Sequence, residues 1–159
     1  MENFLNHSWN PAWKQSRDSP FMDKLTREKR SANMRRILGK NTIPELAVRK
    51  IVRRLGFSYR THSKHLPGKP DIVFTRSRKA IFVHGCFWHL HPAAGCRDAR
   101  IPKSRVGYWT EKLRRNVDRD RLHLSELRKL GWKAIVIWEC QINKKVARVE
   151  SRIQRFLES

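Results

Sequence analysis

Two short apolar runs, Asp71-Ile72-Val73-Phe74 and Ala80-Ile81-Phe82-Val83, are separated only by the polar stretch Thr75–Lys79. Runs of β-branched and aromatic residues spaced so closely read as a hairpin, and the rest of the chain has to pack around it. Thr42-Ile43-Pro44-Glu45 reads as a capping box. It opens a helix to about Leu55 with Ala47, Ile51 and Leu55 on one stripe and Gly56 as the stop. Phe57–His62 is a candidate short strand. After the hairpin comes a long amphipathic segment, about Val106–Leu130, ended by Gly131 as a left-handed cap. Ala134–Trp138 follows, apolar enough for a strand buried on both faces. A final helix from about Lys144 carries Val146, Val149, Ile153 and Phe156 on one side. The order α–β–β–β–α–β plus a C-terminal helix predicts an α/β protein, a mixed sheet flanked by helices. Residues 1–21 show no period and read as an N-terminal arm; residues 22–159 form a single domain.

Charge decides the class of partner. Lys and Arg number 36 against 14 Asp and Glu in 159 residues, a formal net charge of +22. Self-repulsion of that size destabilises a compact state unless an anion relieves it. The basic residues are spread along the chain, as in Arg27–Lys29–Arg30, Arg53–Arg54 and Arg114–Arg115, while 39% of the residues are hydrophobic, too many for a disordered basic tail. No apolar run approaches the roughly 20 residues that span a bilayer, and the first residues lack the basic and apolar regions of a signal peptide. Nucleic acid is the expected partner and the cytoplasm the expected compartment.

Three cysteines, Cys86, Cys96 and Cys140, cannot all pair with one another. They read either as buried thiols in a reducing compartment or, because His84, His89 and His91 crowd Cys86, as a metal set. Three thiolates and one imidazole would close a tetrahedral zinc site with no position left for chemistry, although the spacing is not that of a zinc finger.

Two acids stand out. Asp120 lies inside the apolar stripe of the long helix, with Trp109, Leu113, Val117, Leu124 and Leu127 within about 40° of one line. A carboxylate facing a core needs a partner, and a histidine-orienting role is expected. Asp71 follows Pro70 and opens the first hairpin strand, at the mouth of a sheet in a cationic protein, where it suits Mg²⁺. The second hairpin strand leads directly into His84-Gly85-Cys86-Phe87-Trp88-His89, which brings two histidines and two large aromatics to that end of the sheet.

The runs Met22-Asp23, Thr26, Arg30-Ser31, Asn33-Met34, Thr42, Pro44-Glu45, Leu66-Pro67-Gly68-Lys69-Pro70-Asp71, Phe82-Val83-His84-Gly85-Cys86-Phe87-Trp88-His89 and Trp138-Glu139-Cys140 resemble, in order and spacing, the bacterial very-short-patch repair endonucleases. The likeness extends from about Met22 to Ile142. It implies a restriction-endonuclease-like core with a structural zinc, nicking the T-containing strand 5′ to the T of T:G mismatches left by deamination of 5-methylcytosine. By match of motif, Asp71 would hold Mg²⁺ together with the backbone carbonyl of Val83. His89 would be the general base, oriented by Asp120; His84 would assist at the scissile phosphate, and Glu45 would be an acid near the site. Cys86, His91, Cys96 and Cys140 would be the zinc ligands. Phe87, Trp88 and Trp109 would wedge into the base stack, and Met34, Arg35 and Asn116 would lie near the mispair. It further implies a monomer acting on double-stranded DNA at the nucleoid, with mismatch-repair proteins as partners. A restriction-like nuclease of another specificity and a non-catalytic, zinc-stapled DNA-binding protein are the alternatives.

Overall fold

The computed structural model describes residues 40–61 and 63–159; Met34, Arg35 and the expected arm 1–21 lie outside the described residues. The elements run α1 (Ile43–Arg54), β1 (Ile72–Phe74), β2 (Lys79–His84), a 3-10 turn (Arg97–Ala99), α2 (Val106–Lys129), β3 (Lys133–Trp138), α3 (Glu139–Lys144) and α4 (Val146–Glu158). The sheet order is β1-β2-β3. β1 pairs antiparallel with β2, and β2 pairs parallel with β3, Lys79 opposite Lys133 through to His84 opposite Trp138. This is the expected mixed sheet with flanking helices.

Strand alternation sorts the residues of β2 and β3 between two faces. Ile81 and Ile137 join Val48, Ile51 and Val52 of α1, Ile142 of α3, and Val149, Ile153 and Leu157 of α4 in one core. The residues between them, Phe82 and His84 on β2 and Trp138 on β3, point to the opposite face. Phe82 there approaches the loop at Gly68 together with His123 of α2, and Leu113 and Leu127 are the fully buried residues of that helix. Gly68 has φ +72, and a Cβ added to it would lie 3.0 Å from both His123 and Phe82. The loop leading to Asp71 is thus pressed against α2 at a point where a side chain has no room and a poor backbone conformation.

Several expectations need correction. Of the expected strand Phe57–His62, His62 lies outside the described residues and residues 57–61 form no strand: Arg60 makes a single bridge to Val73, with N···O distances of 2.9 and 2.8 Å. β1 is only three residues long and Pro70 has no N–H to extend the ladder. Asp71 stands one residue before β1 rather than within it. β3 is not buried on both faces, since only Ile137 is fully enclosed; the strand lies at the end of the sheet order and, among the described residues, pairs with a strand on one side only. The short helix α3 is an addition, and the final helix expected from about Lys144 is α4, which begins after Lys145 (φ −147, ψ 50). Its inward stripe is Val149, Ile153 and Leu157, while Val146 is exposed.

Candidate active site and metal centre

The catalytic candidates gather where β2 ends. Val83, the penultimate strand residue, donates its N–H to Asp71 Oδ2 at 2.7 Å. In a strand a residue's N–H and C=O point to the same neighbour, so the Val83 carbonyl also faces the Asp71 side. His84 ends the strand, and the turn after it brings the His89 ring parallel to that of His84, centroids 3.8 Å apart and planes 11° from parallel. The Nδ1 of His89 meets Asp120 Oδ2 at 2.5 Å, so the acid within the apolar stripe of α2 has its partner.

Burial, and after it the charge of Glu45, push the Asp71 carboxyl up to about 6 despite the Val83 hydrogen bond. Because this folded value lies above the unfolded one, ionisation costs the fold stability as pH rises through about 6, on the order of 3 kcal/mol if no cation compensates. His84 has the opposite sign. Burial and then the neighbouring His89 push it down to about 3, so it is neutral at pH 7 and its protonation in acid opposes folding. For Asp120, burial acts upward but the His89 hydrogen bond and the charges of His89, His84 and Arg119 outweigh it and hold the carboxyl below its ordinary value. A neutral His84 beside an ionised Asp120 leaves the negative charge next to His89.

Glu45 is buried and its oxygens are engaged: one receives the Asn41 N–H at 2.9 Å and the Arg49 guanidinium at 3.2 Å, the other the Thr42 hydroxyl at 2.9 Å. The Glu45 N–H to Thr42 Oγ1 distance is 3.5 Å. Capping of α1 and a place near Asp71 are therefore compatible roles for one residue.

The second cluster is Cys86, His91, Cys96 and Cys140, whose ligand atoms all lie within 4.8 Å of one another. His91 Nδ1 is 3.8 Å from Cys86 Sγ and 3.3 Å from Cys140 Sγ. Zn–S bonds of about 2.3 Å and a Zn–N bond of about 2.0–2.1 Å in a tetrahedron put ligand atoms about 3.6 Å apart, so the separations fit one ion. Burial pushes the Cys86 thiol up to about 12 and raises that of Cys140, while burial lowers His91. Protons crowded onto thiols beside a neutral imidazole are what a divalent cation displaces. His84, His89 and Asp120 also lie within 4.8 Å of one another, with the two rings stacked and Nδ1 of His89 turned to Asp120.

Phe87, Trp88 and Trp109 form one aromatic group, with centroids 4.9 to 6.1 Å apart. Asn116 donates its side-chain amide to the Trp88 carbonyl at 3.1 Å and so braces the group. Sequence reasoning missed two members. Tyr108 packs edge-on against Trp109 at 5.2 Å. Lys112 places its ammonium 5.4 to 5.6 Å from the rings of Trp88, Tyr108 and Trp109. The signal was available: Tyr108 and Lys112 are one helical turn apart, and Trp109 lies between them.

Among solved structures, the catalytic domain of homing endonuclease I-Bth0305I matches with a TM-score of 0.51 at 24% identity, over 73% of this chain and 94% of that one, which gives the fold. In sequence, the chain is 42% identical over 136 residues to the type II nicking enzyme V.XorIIP of Xanthomonas oryzae pv. oryzae, covering 86% of this chain and 97% of the relative. Fold and relatives together define a DNA-nicking endonuclease on a restriction-type catalytic core. The family model for DNA mismatch endonuclease Vsr matches residues 22–95. DNA mismatch endonuclease Vsr of Escherichia coli is 37% identical over 136 residues, 86% of this chain and 83% of the relative. The chain belongs to the Vsr endonuclease family. Among the described residues no helix is long and apolar enough to cross a membrane.

Proposed function

We propose that the protein nicks the T-containing strand of T:G-mispaired duplex DNA, 5′ to the T, with Mg²⁺ at Asp71 and a structural zinc on Cys86, His91, Cys96 and Cys140. The observation that carries the reading is the His89–Asp120 contact of 2.5 Å at the strand end that also sets Val83 against Asp71. The relative from Escherichia coli, a DNA mismatch endonuclease, supports the mismatch as the target.

In this reading Asp120, held ionised, accepts a hydrogen bond from the Nδ1–H of His89 and fixes the tautomer in which Nε2 is the free acceptor. Nε2 then takes the proton of the attacking water. His84, neutral and stacked on His89, keeps the base ring in one plane and offers an uncharged imidazole toward the phosphate. Asp71 and the Val83 carbonyl would supply oxygen ligands of the kind a hard cation needs; Mg²⁺ held there would neutralise negative charge at the reacting phosphate. The braced aromatic group, with Phe87, Trp88 and Trp109, acts on the base stack. Unstacking a step costs a few kcal/mol, least beside a mispair, so the wedge itself favours faulty DNA. Met34 and Arg35 complete the proposed contacts near the mispair.

The test is strand-resolved mapping on labelled duplexes that differ at one pair, T:G, C:G or T:A, with Mg²⁺ and with EDTA. Nicks confined to the T strand of the T:G duplex, 5′ to the T and absent with EDTA, are expected. Equal nicking of all three duplexes would leave a nuclease of other specificity, and binding without nicking would leave a DNA-binding protein.

A further inference from the structure

Trp138 stands between the two clusters. It ends β3 opposite His84 in the parallel register, and alternation puts it on the same sheet face as His84. Its indole stacks on the His91 ring, centroids 4.3 Å apart and planes at 27°. It also meets the His84 ring edge to face, at 5.3 Å and 81°. His84 in turn stacks on His89. Two residues further along the chain is Cys140, whose sulfur is 3.3 Å from His91 Nδ1. A row of rings therefore runs from the cysteine cluster to the base: His91, Trp138, His84, His89. The terminal torsion of a histidine is broad and sets no sharp ring orientation, so the plane of His84 has to be fixed by what packs against it.

We propose that Trp138 is a positioning residue for the nicking reaction, holding the His84–His89 pair in its working plane and making that alignment depend on an ordered Cys86–His91–Cys96–Cys140 cluster. The inference rests on the assignment of His89 as the base. Misplacing a reacting group by about 1 Å can cost about a hundred-fold in rate, and no contact of Trp138 with DNA is needed for this effect.

The test compares Trp138→Leu, Trp138→Met and Trp138→Phe with the native protein in three readouts: single-turnover nicking rate, DNA dissociation constant and zinc per chain. Loss of the ring in Leu or Met is expected to slow nicking about ten- to a hundred-fold, with DNA affinity within about three-fold of native and one zinc retained; Phe restores most of the rate. Native rates in Leu and Met overturn the proposal. So does a rate that falls only in step with lost zinc or lost DNA affinity, which would confine Trp138 to the cluster itself. His89→Ala is assayed alongside: native nicking by that variant removes the base assignment, whereas an inactive His89→Ala beside a fully active Trp138→Leu removes only the role of Trp138.

Discussion

Exchanging Asp120 for Asn is expected to slow single-turnover nicking by roughly a thousand-fold or more, while DNA binding stays within about three-fold of native. In the serine-protease triad, an Asp-to-Asn change behind the base histidine costs about 10⁴ because the wrong tautomer is favoured. The same argument applies here. His89 has one ring nitrogen against Asp120, and an amide can present either N–H or C=O to it. A donor facing Nδ1 moves the proton to Nε2, the atom that has to be empty. Asp120 is half-buried in α2 and close to isosteric with Asn, so the fold should persist. Equal rates for the variant and the native protein would mean that the contact is structural.

The second large effect concerns the cysteine cluster. Cys140→Ser is expected to lower bound zinc to well under one equivalent, reduce the melting temperature by more than about 10 °C and remove nicking. Structural zinc contributes apparent binding energies of about 10–16 kcal/mol in small domains, comparable to the whole stability of a typical protein, about 5–15 kcal/mol. The cluster joins the turn after β2 to α3, and the same turn carries His89, Phe87 and Trp88. In the proposed reading, losing it frees the base and the wedge together. Zinc content, thermal melting and nicking of one preparation give the answer; a native melt with no zinc bound would show that hydrophobic packing alone holds the turn.

How far the sequence could lead is seen residue by residue. The hairpin was legible because both runs are β-branched and aromatic with a polar break, and the two strands pair as those runs require. Asp120 was legible because an acid in an apolar stripe contradicts its surroundings, and such contradictions mark a partner from elsewhere. Residues 57–61 of the expected strand form only one bridge because a ladder needs a partner long enough to extend it, and β1 ends after Phe74. The helix α3 leaves no periodicity signal, since its six residues are too few to show a helical stripe. The ring contacts of Trp138 were beyond reach for a different reason: alternation assigns a face, but stacking depends on strand register and on where a distant turn folds back. Lys79 is a further case, a lysine whose ammonium is buried against the Leu157 carbonyl at 2.9 Å at the end of α4, a tertiary contact with no local trace.

The central claim is that Asp71 gathers a divalent ion beside the His89–Asp120 pair, and its most direct test is the Mg²⁺ requirement of nicking followed across pH in the native protein and in Asp71→Ala. Because burial pushes the Asp71 carboxyl up to about 6, protons compete with the cation below that value. The apparent Mg²⁺ midpoint is expected to be flat above pH 6 and to rise about tenfold per pH unit below it; Asp71→Ala should bind DNA without nicking it at any Mg²⁺ concentration. Nicking by Asp71→Ala at the native rate, with an unchanged Mg²⁺ midpoint, would contradict the claim.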